Sequence, residues 1–309
     1  MNDILSKKKE VLFLFDTRNM NPNGDMLKDN APRYDEASMK AEISDVRIKR
    51  TIRDYALIKG EEVFIKPYVD KDGFVADCKI AAEMEGIDNS TTSEDVKSQL
   101  KKYFDIRVFG GVIPLKAKTK KDVASVNLTG ATQFGYSRTI HEAEIEFVQG
   151  TGAFSSGAGK AQDTIRSEYI LKYGLFATYA LVNQHNAKHS GMTNADFDSL
   201  LSYLWNGTKN LNTRSKFGQQ PRLLLAITYK ENSDAFVGNL NNLLETESEK
   251  DDLSYREISD FRVKFDRLLS KIELFKDDIE SVEYSIEYDF EQIHKDIIPT
   301  SWIRNNVLK

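Results

Sequence analysis

Apolar residues run without interruption from Val11 to Phe15 before the chain turns polar at Asp16, and a second such run spans Pro221 to Ile227 apart from Arg222. Short apolar runs lacking a helical period predict strands buried on both faces. Tyr169 to Val182 is also largely apolar. Between Ser44 and Lys59 the period changes: Ile48, Ile52 and Tyr55 share one side at 3.6-residue spacing, Ser44 is a capping residue and Gly60 a stop, which predicts a helix. Asn194 to Trp205 reads the same way. Further expectations are a strand at Glu62 to Pro67, a turn at Asp72 and Gly73, helices near Asp77 to Glu85 and Ser93 to Phe104, and strands over Ser125 to Phe134 and Ile140 to Phe147. Toward the end, Ile258, Phe261, Phe265, Leu268, Ile272 and Phe275 predict an amphipathic helix. Val282, Tyr284, Ile286 and Tyr288 alternate as a strand. A long polar loop, Asn19 to Glu42, and a stretch with four glycines and two adjacent serines, Gly150 to Lys160, remain as connections; the second reads as an arm or lid.

With 309 residues the chain is one large domain or two small ones, and 40% hydrophobic with 29% charged residues describes a soluble globular protein. No apolar run approaches the roughly 20 residues that cross a bilayer, and the start is too short and polar for a signal peptide, so a cytoplasmic protein without membrane contact is expected. The single cysteine, Cys78, excludes an internal disulfide and a thiolate zinc cluster. A net charge of −5 argues against a nucleic-acid partner until its distribution is considered. From Lys97 to Glu142 nine Lys/Arg face three Asp/Glu; from Lys230 to Thr300 nine face nineteen. The acidity therefore belongs to the C-terminal part. A basic half joined to an acidic half fits local phosphate binding, and also head-to-tail contacts between copies.

On the predicted helix, Lys49 and Arg53 are four residues apart and repel; a bound anion would remove that cost. The same helix offers Asp45 to Lys49 and Arg50 to Asp54, so a salt-bridged solvated face is the competing reading. Gly152 to Lys160 does not make a phosphate-binding P-loop, because Phe154 stands at the first glycine position and Ala161 at the magnesium-binding hydroxyl. Gly150, Gly152 and Ser155 fail a dinucleotide fingerprint at its third position. As the tip of an arm, Phe154 could instead wedge or stack against a base. His185 and His189 share helical spacing but lack a third ligand, so no metal site is expected there. Asp16, Asp25, Asp29 and Asp35 around the first loop could hold magnesium, or serve as turn residues.

The ordered set of segments resembles the crRNA-binding backbone subunit of CRISPR Cascade effectors, the Cas-seven family in its subtype I-B branch. The matching pieces are Asn21 Pro22 Asn23 Gly24 Asp25 with Ala31 Pro32 Arg33, then Ser44 to Tyr55, Asp105 to Gly111, Leu128 to Phe134, Tyr173 to Phe176 and Thr213 to Lys216. The acidic region after Lys230 is covered least. The resemblance implies an α+β fold, a modified ferredoxin-like (RRM-like) palm with finger and thumb insertions in one domain over residues 1–309, the thumb at about Glu144 to Arg166 and the acidic region from Glu231. It implies copies wound head-to-tail along a guide RNA that is presented to target DNA, alongside other Cascade subunits and a separate helicase-nuclease. Carried to this chain, the RNA-binding residues are Asn21, Asn23, Gly24, Arg33, Lys49, Arg50, Arg53, Arg107, Gly110, Gly111, Phe154, Lys160 and Arg166. Lys116, Lys118, Lys120 and Lys121 either touch target DNA or form a solvated run. No catalysis, metal or cofactor is implied for this subunit. The alternative is a metal-dependent RNA endonuclease of the related type III kind, with Asp25 as its catalytic carboxylate.

Overall fold

The computed structural model describes residues 3–151, 165–294 and 297–305. In chain order, β1 (Lys9–Met20) leads to two short hairpins, β2 (Gly24–Asp25) with β3 (Ala31–Pro32) and β4 (Tyr34–Asp35) with β5 (Lys40–Ile43), and then to α1 (Asp45–Ile58). An inserted unit follows: α2 (Cys78–Met84), α3 (Ser93–Leu100), α4 (Phe104–Phe109) and the hairpin β6 (Gly110–Pro114) and β7 (Ser125–Thr129). The chain returns through β8 (Thr132–Phe134), β9 (Ser137–Thr139), β10 (Ile145–Thr151) and β11 (Ile165–Val182), then α5 (Gln184–Ser190), α6 (Asn194–Lys209) and β12 (Gln220–Tyr229). The last part holds β13 (Glu245–Glu247), β14 (Arg262–Lys264), α7 (Asp266–Leu274), β15 (Ile279–Ile286), α8 (Tyr288–Ile293) and β16 (Ile303–Arg304).

These elements make a mixed α+β structure around one large sheet. β1 is its central strand, antiparallel to β11 on one side and β12 on the other, with Phe13 opposite Thr178 and Leu224. β15 and β16 extend the sheet beyond β12; β8, β9 and β10 pair with β11 on the far side. An unbroken apolar run is what such a strand needs. Val11, Phe13 and Phe15 enter the core under α1 and α6, while Leu12 and Leu14 enter a second core under the C-terminal layer. A buried carboxylate fastens that layer: Glu10 accepts from the Tyr179 hydroxyl at 2.6 Å, the Tyr229 hydroxyl, and the backbone N–H groups of Val237 (3.0 Å) and Gly238 (2.8 Å). The insertion has its own core, with Phe64, Val96, Leu100, Ile106, Val126 and Leu128.

Several expected elements differ, each for a local reason. Glu62 to Pro67 is not a strand, because the Asp105 carboxylate takes the N–H groups of Phe64 (2.8 Å) and Ile65 (3.0 Å) that a ladder would have used. The expected helix over Ile258 to Phe275 forms only from Asp266; before it, Phe261, Val263 and Phe265 bury every second residue and β14 pairs with β13. Phe261 and Phe265, four residues apart, fit a 3.6 period and a 2.0 period alike until Val263 is counted; Leu268, at an odd offset from both, fits only the helix that follows. Tyr288 is exposed and opens α8 instead of ending a strand. The Asn19 to Glu42 loop is folded into hairpins. Residues Ser125 to Phe134 form two strands interrupted at Gly130, and Ile140 to Phe147 becomes strand only from Ile145.

Candidate nucleic-acid interface

Where β1 ends, the Asn-Pro-Asn-Gly turn is stitched to its surroundings. The Asn21 N–H donates to the Ser215 carbonyl at 3.0 Å and its Nδ2 to the Asn30 carbonyl at 2.6 Å. Asn23 Oδ1 accepts from both the N–H and the Oγ of Ser44, at 2.9 and 3.1 Å, which ties the turn to the first residue before α1. Ser44 in turn caps the Arg47 N–H. Gly24 packs closely on Asn30: an added Cβ would lie 2.0 Å from its Oδ1 and 3.1 Å from its carbonyl oxygen, so a side chain there requires the exposed Asn30 side chain to move aside. Asn21 Oδ1 and Arg33 Nε are buried without a hydrogen-bond partner among the described residues.

The helix behind this turn separates its cations. Arg53 points inward: its Nε donates to Asp105 at 2.9 Å, its guanidinium lies over the Phe109 ring, and the residue is buried. Lys49 is mostly covered, bonded to Asp45 (3.1 Å) and Gln133 (3.0 Å). Arg50 is exposed and paired with Asp54 at 2.6 Å. Both salt bridges of the solvated-face reading are present. Arg47 differs, being half-buried with no ion pair or side-chain hydrogen bond among the described residues. Burial lowers its pKa, with Asp54 opposing and Arg50 adding to the shift. Lys216, in the turn that meets Asn21, is lowered by burial and then by Arg47 itself. Two partly desolvated cations, neither with an ion pair among the described residues and Lys216 bonded only to the Ser215 hydroxyl at 2.9 Å, favour an anion beside them.

The other expected residues fall in three places. Arg107 forks onto Asp196 at 2.7 and 3.0 Å and donates to the carbonyls of Lys101 and Lys102, which locks α4 to α6. Gly110 has φ of +69°, and a Cβ there would meet the Leu128 carbonyl oxygen at 2.1 Å; the close approach it permits is to the chain's own β7 end. Gly111 has only ordinary contacts. Lys116 pairs with Glu83 at 3.4 Å, and Asp122 accepts from the N–H groups of Lys118 and Thr119, so the Lys116 to Lys121 run is an ordered turn on the insertion. Lys118, Lys120 and Lys121 have no ion pair among the described residues. β10 and β11 pair from Ile145 with Leu171 to Thr151 with Ile165, a hairpin extending roughly 20 Å past the end of β1. Arg166 lies in it opposite Gly150; Phe154 and Lys160 lie outside the described residues. Asp25 Oδ1 accepts from the Leu27 N–H at 3.1 Å and its other oxygen is 3.7 Å from Arg33. Among the described residues no three His, Cys, Asp or Glu side chains gather as a metal site would require.

Sequence reasoning missed Arg47 and Lys216. The signal was present: within α1, Arg47 and Arg53 are the two cations with no acid three or four residues away. One finds a distant carboxylate and the other does not.

The family model described as CRISPR-associated protein Cas7 matches residues 7–266. A curated Cas7 from Haloferax volcanii is 29% identical over 293 residues, covering 89% of this chain and 85% of the relative. A chain of a solved CRISPR RNA-guided surveillance complex in its pre-nicking state superposes with a TM-score of 0.57 at 12% identity, covering 96% of both chains. A second surveillance-complex chain gives 0.52 at 12% identity, covering 97% of this chain and 94% of the other, a likeness of fold. The chain belongs to the CRISPR-associated Cas7 family.

Proposed function

We propose that this chain is the crRNA-binding backbone subunit of a type I Cascade effector, of subtype I-B, acting in the cytoplasm as a single palm-based domain. Copies would follow one another head-to-tail along the guide, and the array, with other Cascade subunits, would present the guide to target DNA for cleavage by a separate helicase-nuclease. The observation that carries the RNA role is the partly desolvated Arg47 and Lys216, neither with an ion pair among the described residues, beside the Asn21 turn. A ferredoxin-like palm is supported by the strand order β12, β1, β11, then β8 and β9, with α1 and α6 in the core on one face. In this reading the RNA backbone passes Asn21, Asn23, Gly24, Arg33, Arg47 and Lys216, with Lys49 and Arg50 on its flank. The β10 and β11 hairpin is the thumb, Phe154, Lys160 and Arg166 are assigned as further RNA contacts, and Lys116 to Lys121 reach the target. Arg53 and Arg107 are engaged with Asp105 and Asp196 and are assigned to the fold.

Purification with and without a CRISPR array, at moderate salt, is the direct test. Discrete-length RNA in a multi-copy assembly is expected; a nucleic-acid-free monomer that also ignores guide RNA with Cascade partners present would overturn the proposal. The R47A/K216A variant should retain less RNA and reduce the log-log salt slope by about 1.4, two single-strand phosphates at about 0.7 each. For the endonuclease alternative, Asp25 sits in a turn-capping contact, and no magnesium-dependent cleavage of guide-complementary RNA is expected. Cleavage that disappears in D25A would establish the alternative instead.

A further inference from the structure

A second cationic cleft lies on the insertion, walled by α3, β7 and α5. α3 buries Val96 and Leu100 against Val126 and Leu128 of β7, which turns Lys97 and Lys101 outward on one side and Asn127 and Thr129 outward on the other. α5 closes the cleft with Lys188 and His189 in its last turn. The volume is about 380 Å³. Of the cations, only Lys97 has a carboxylate, Glu94 at 2.7 Å; Lys101 and Lys188 have no ion pair among the described residues. Lys97 and Lys101 repel at i, i+4, and Lys188 faces the same space. The placement is built in: a Thr92 and Asp95 capping box fixes the start of α3, and Asn183 caps α5.

We infer that this cleft binds the phosphate backbone of a second nucleic-acid strand, separate from the strand at Arg47 and Lys216. The two sites share no residue. The lining is polar, with Leu128 its one apolar contributor. Protein partners of such clefts anchor through buried aromatic or aliphatic side chains, whereas phosphates are held by lysines with Asn and Thr donors around them. An acidic surface of another copy is therefore the less suited occupant. The chemistry stands on the lining alone; that the bound strand is the target rather than the guide rests on the proposed guide-binding role.

The test compares wild type with K101E/K188E in the assembly purified from cells carrying a CRISPR array, using mixed-sequence single-stranded DNA without complementarity to the guide as probe. Circular dichroism and the thermal midpoint check the fold, and K101A/K188A serves if charge reversal disturbs it. The variant should keep wild-type RNA content and native mass, bind the DNA about tenfold more weakly and lose about 1.4 from the salt slope. Unchanged DNA affinity and slope would overturn the inference. Loss of guide RNA would assign the cleft to the guide path, and loss of native mass with RNA retained would assign it to the contact between copies; either overturns it. Should the wild-type assembly carry no RNA, the guide-binding reading fails, while the same DNA titration on the free chain still decides the cleft.

Discussion

Asp105→Ala is expected to destabilise the protein by about 3–5 kcal/mol, the cost of leaving a buried charge without its partner, which at about 2 °C per kcal/mol for a chain of this size lowers the thermal midpoint by roughly 6–10 °C. The carboxylate is fully buried and serves three donors: Arg53 Nε at 2.9 Å, and the N–H groups of Phe64 and Ile65. Removing it strands a guanidinium between α1 and α4 and leaves two backbone donors unpaired in the segment that carries the insertion. Because the charge dominates, adding Arg53→Met to the alanine variant should recover about half of the loss, a positive coupling that a double-mutant cycle reads directly. A midpoint within about 2 °C of wild type for Asp105→Ala would show that the pair is not a structural joint. In that case Arg53 would return to the list of phosphate ligands.

That pair also shows where reading the sequence stops. The 3.6 period correctly places Ile48 and Ile52 in the core and the capping serine before α1, because helix geometry is local. It also places Lys49, Arg50 and Arg53 together on an adjoining face. Arg50 stays exposed, while Lys49 and Arg53 are covered by α4, which arrives from more than 50 residues away, and no local pattern announces it. The unbroken run at Val11 to Phe15 was sufficient for a strand buried on both sides, and Pro221 to Ile227 for its neighbour. By contrast, the C-terminal layer was misread at Phe261 to Phe265, where two periods share the same buried residues and only the partner strand, Glu245 to Glu247, decides between them. The site was legible as a place, the Asn-Pro-Asn-Gly turn beside a basic helix, and less so as a set of residues. The turn that carries Lys216 follows α6 and hydrogen-bonds to Asn21 through Ser215, and from there Lys216 feels the charge of Arg47.

Acidification should loosen the C-terminal layer well before the carboxylates of the protein titrate. Two buried histidines hold that layer, both as neutral rings. His141 Nε2 accepts the Leu175 N–H at 3.1 Å, its Nδ1 lies 2.6 Å from the Glu142 carbonyl oxygen, and its ring packs on Tyr173, Tyr255 and Phe261. His294 Nε2 accepts the Val263 N–H at 3.0 Å, with Nδ1 2.9 Å from the Phe290 carbonyl oxygen. In each, the nitrogen that accepts a backbone N–H cannot also carry a proton. Burial lowers the His141 pKa to about 4, against smaller raising effects of the Glu142 carbonyl and Asp252; Lys40 adds to the lowering. His294 is lowered by burial too, with the Phe290 carbonyl opposing and Arg262 assisting. A folded-state value below the unfolded value of 6.5 means that the unfolded chain takes up the proton first. The stabilisation is therefore complete above about pH 6.5 and is lost as the pH falls toward 4. Between pH 7.5 and 5.0, His141 alone should cost about 2 kcal/mol, and His294 adds in the same direction. Urea midpoints across that interval measure it, and a protein whose midpoint does not move there would contradict the neutral-ring account. Because Val263 and Phe261 belong to the segment both rings touch, the earliest exchange of amide hydrogens on acidification is expected in β13 and β14, while β1 and its two partners stay protected.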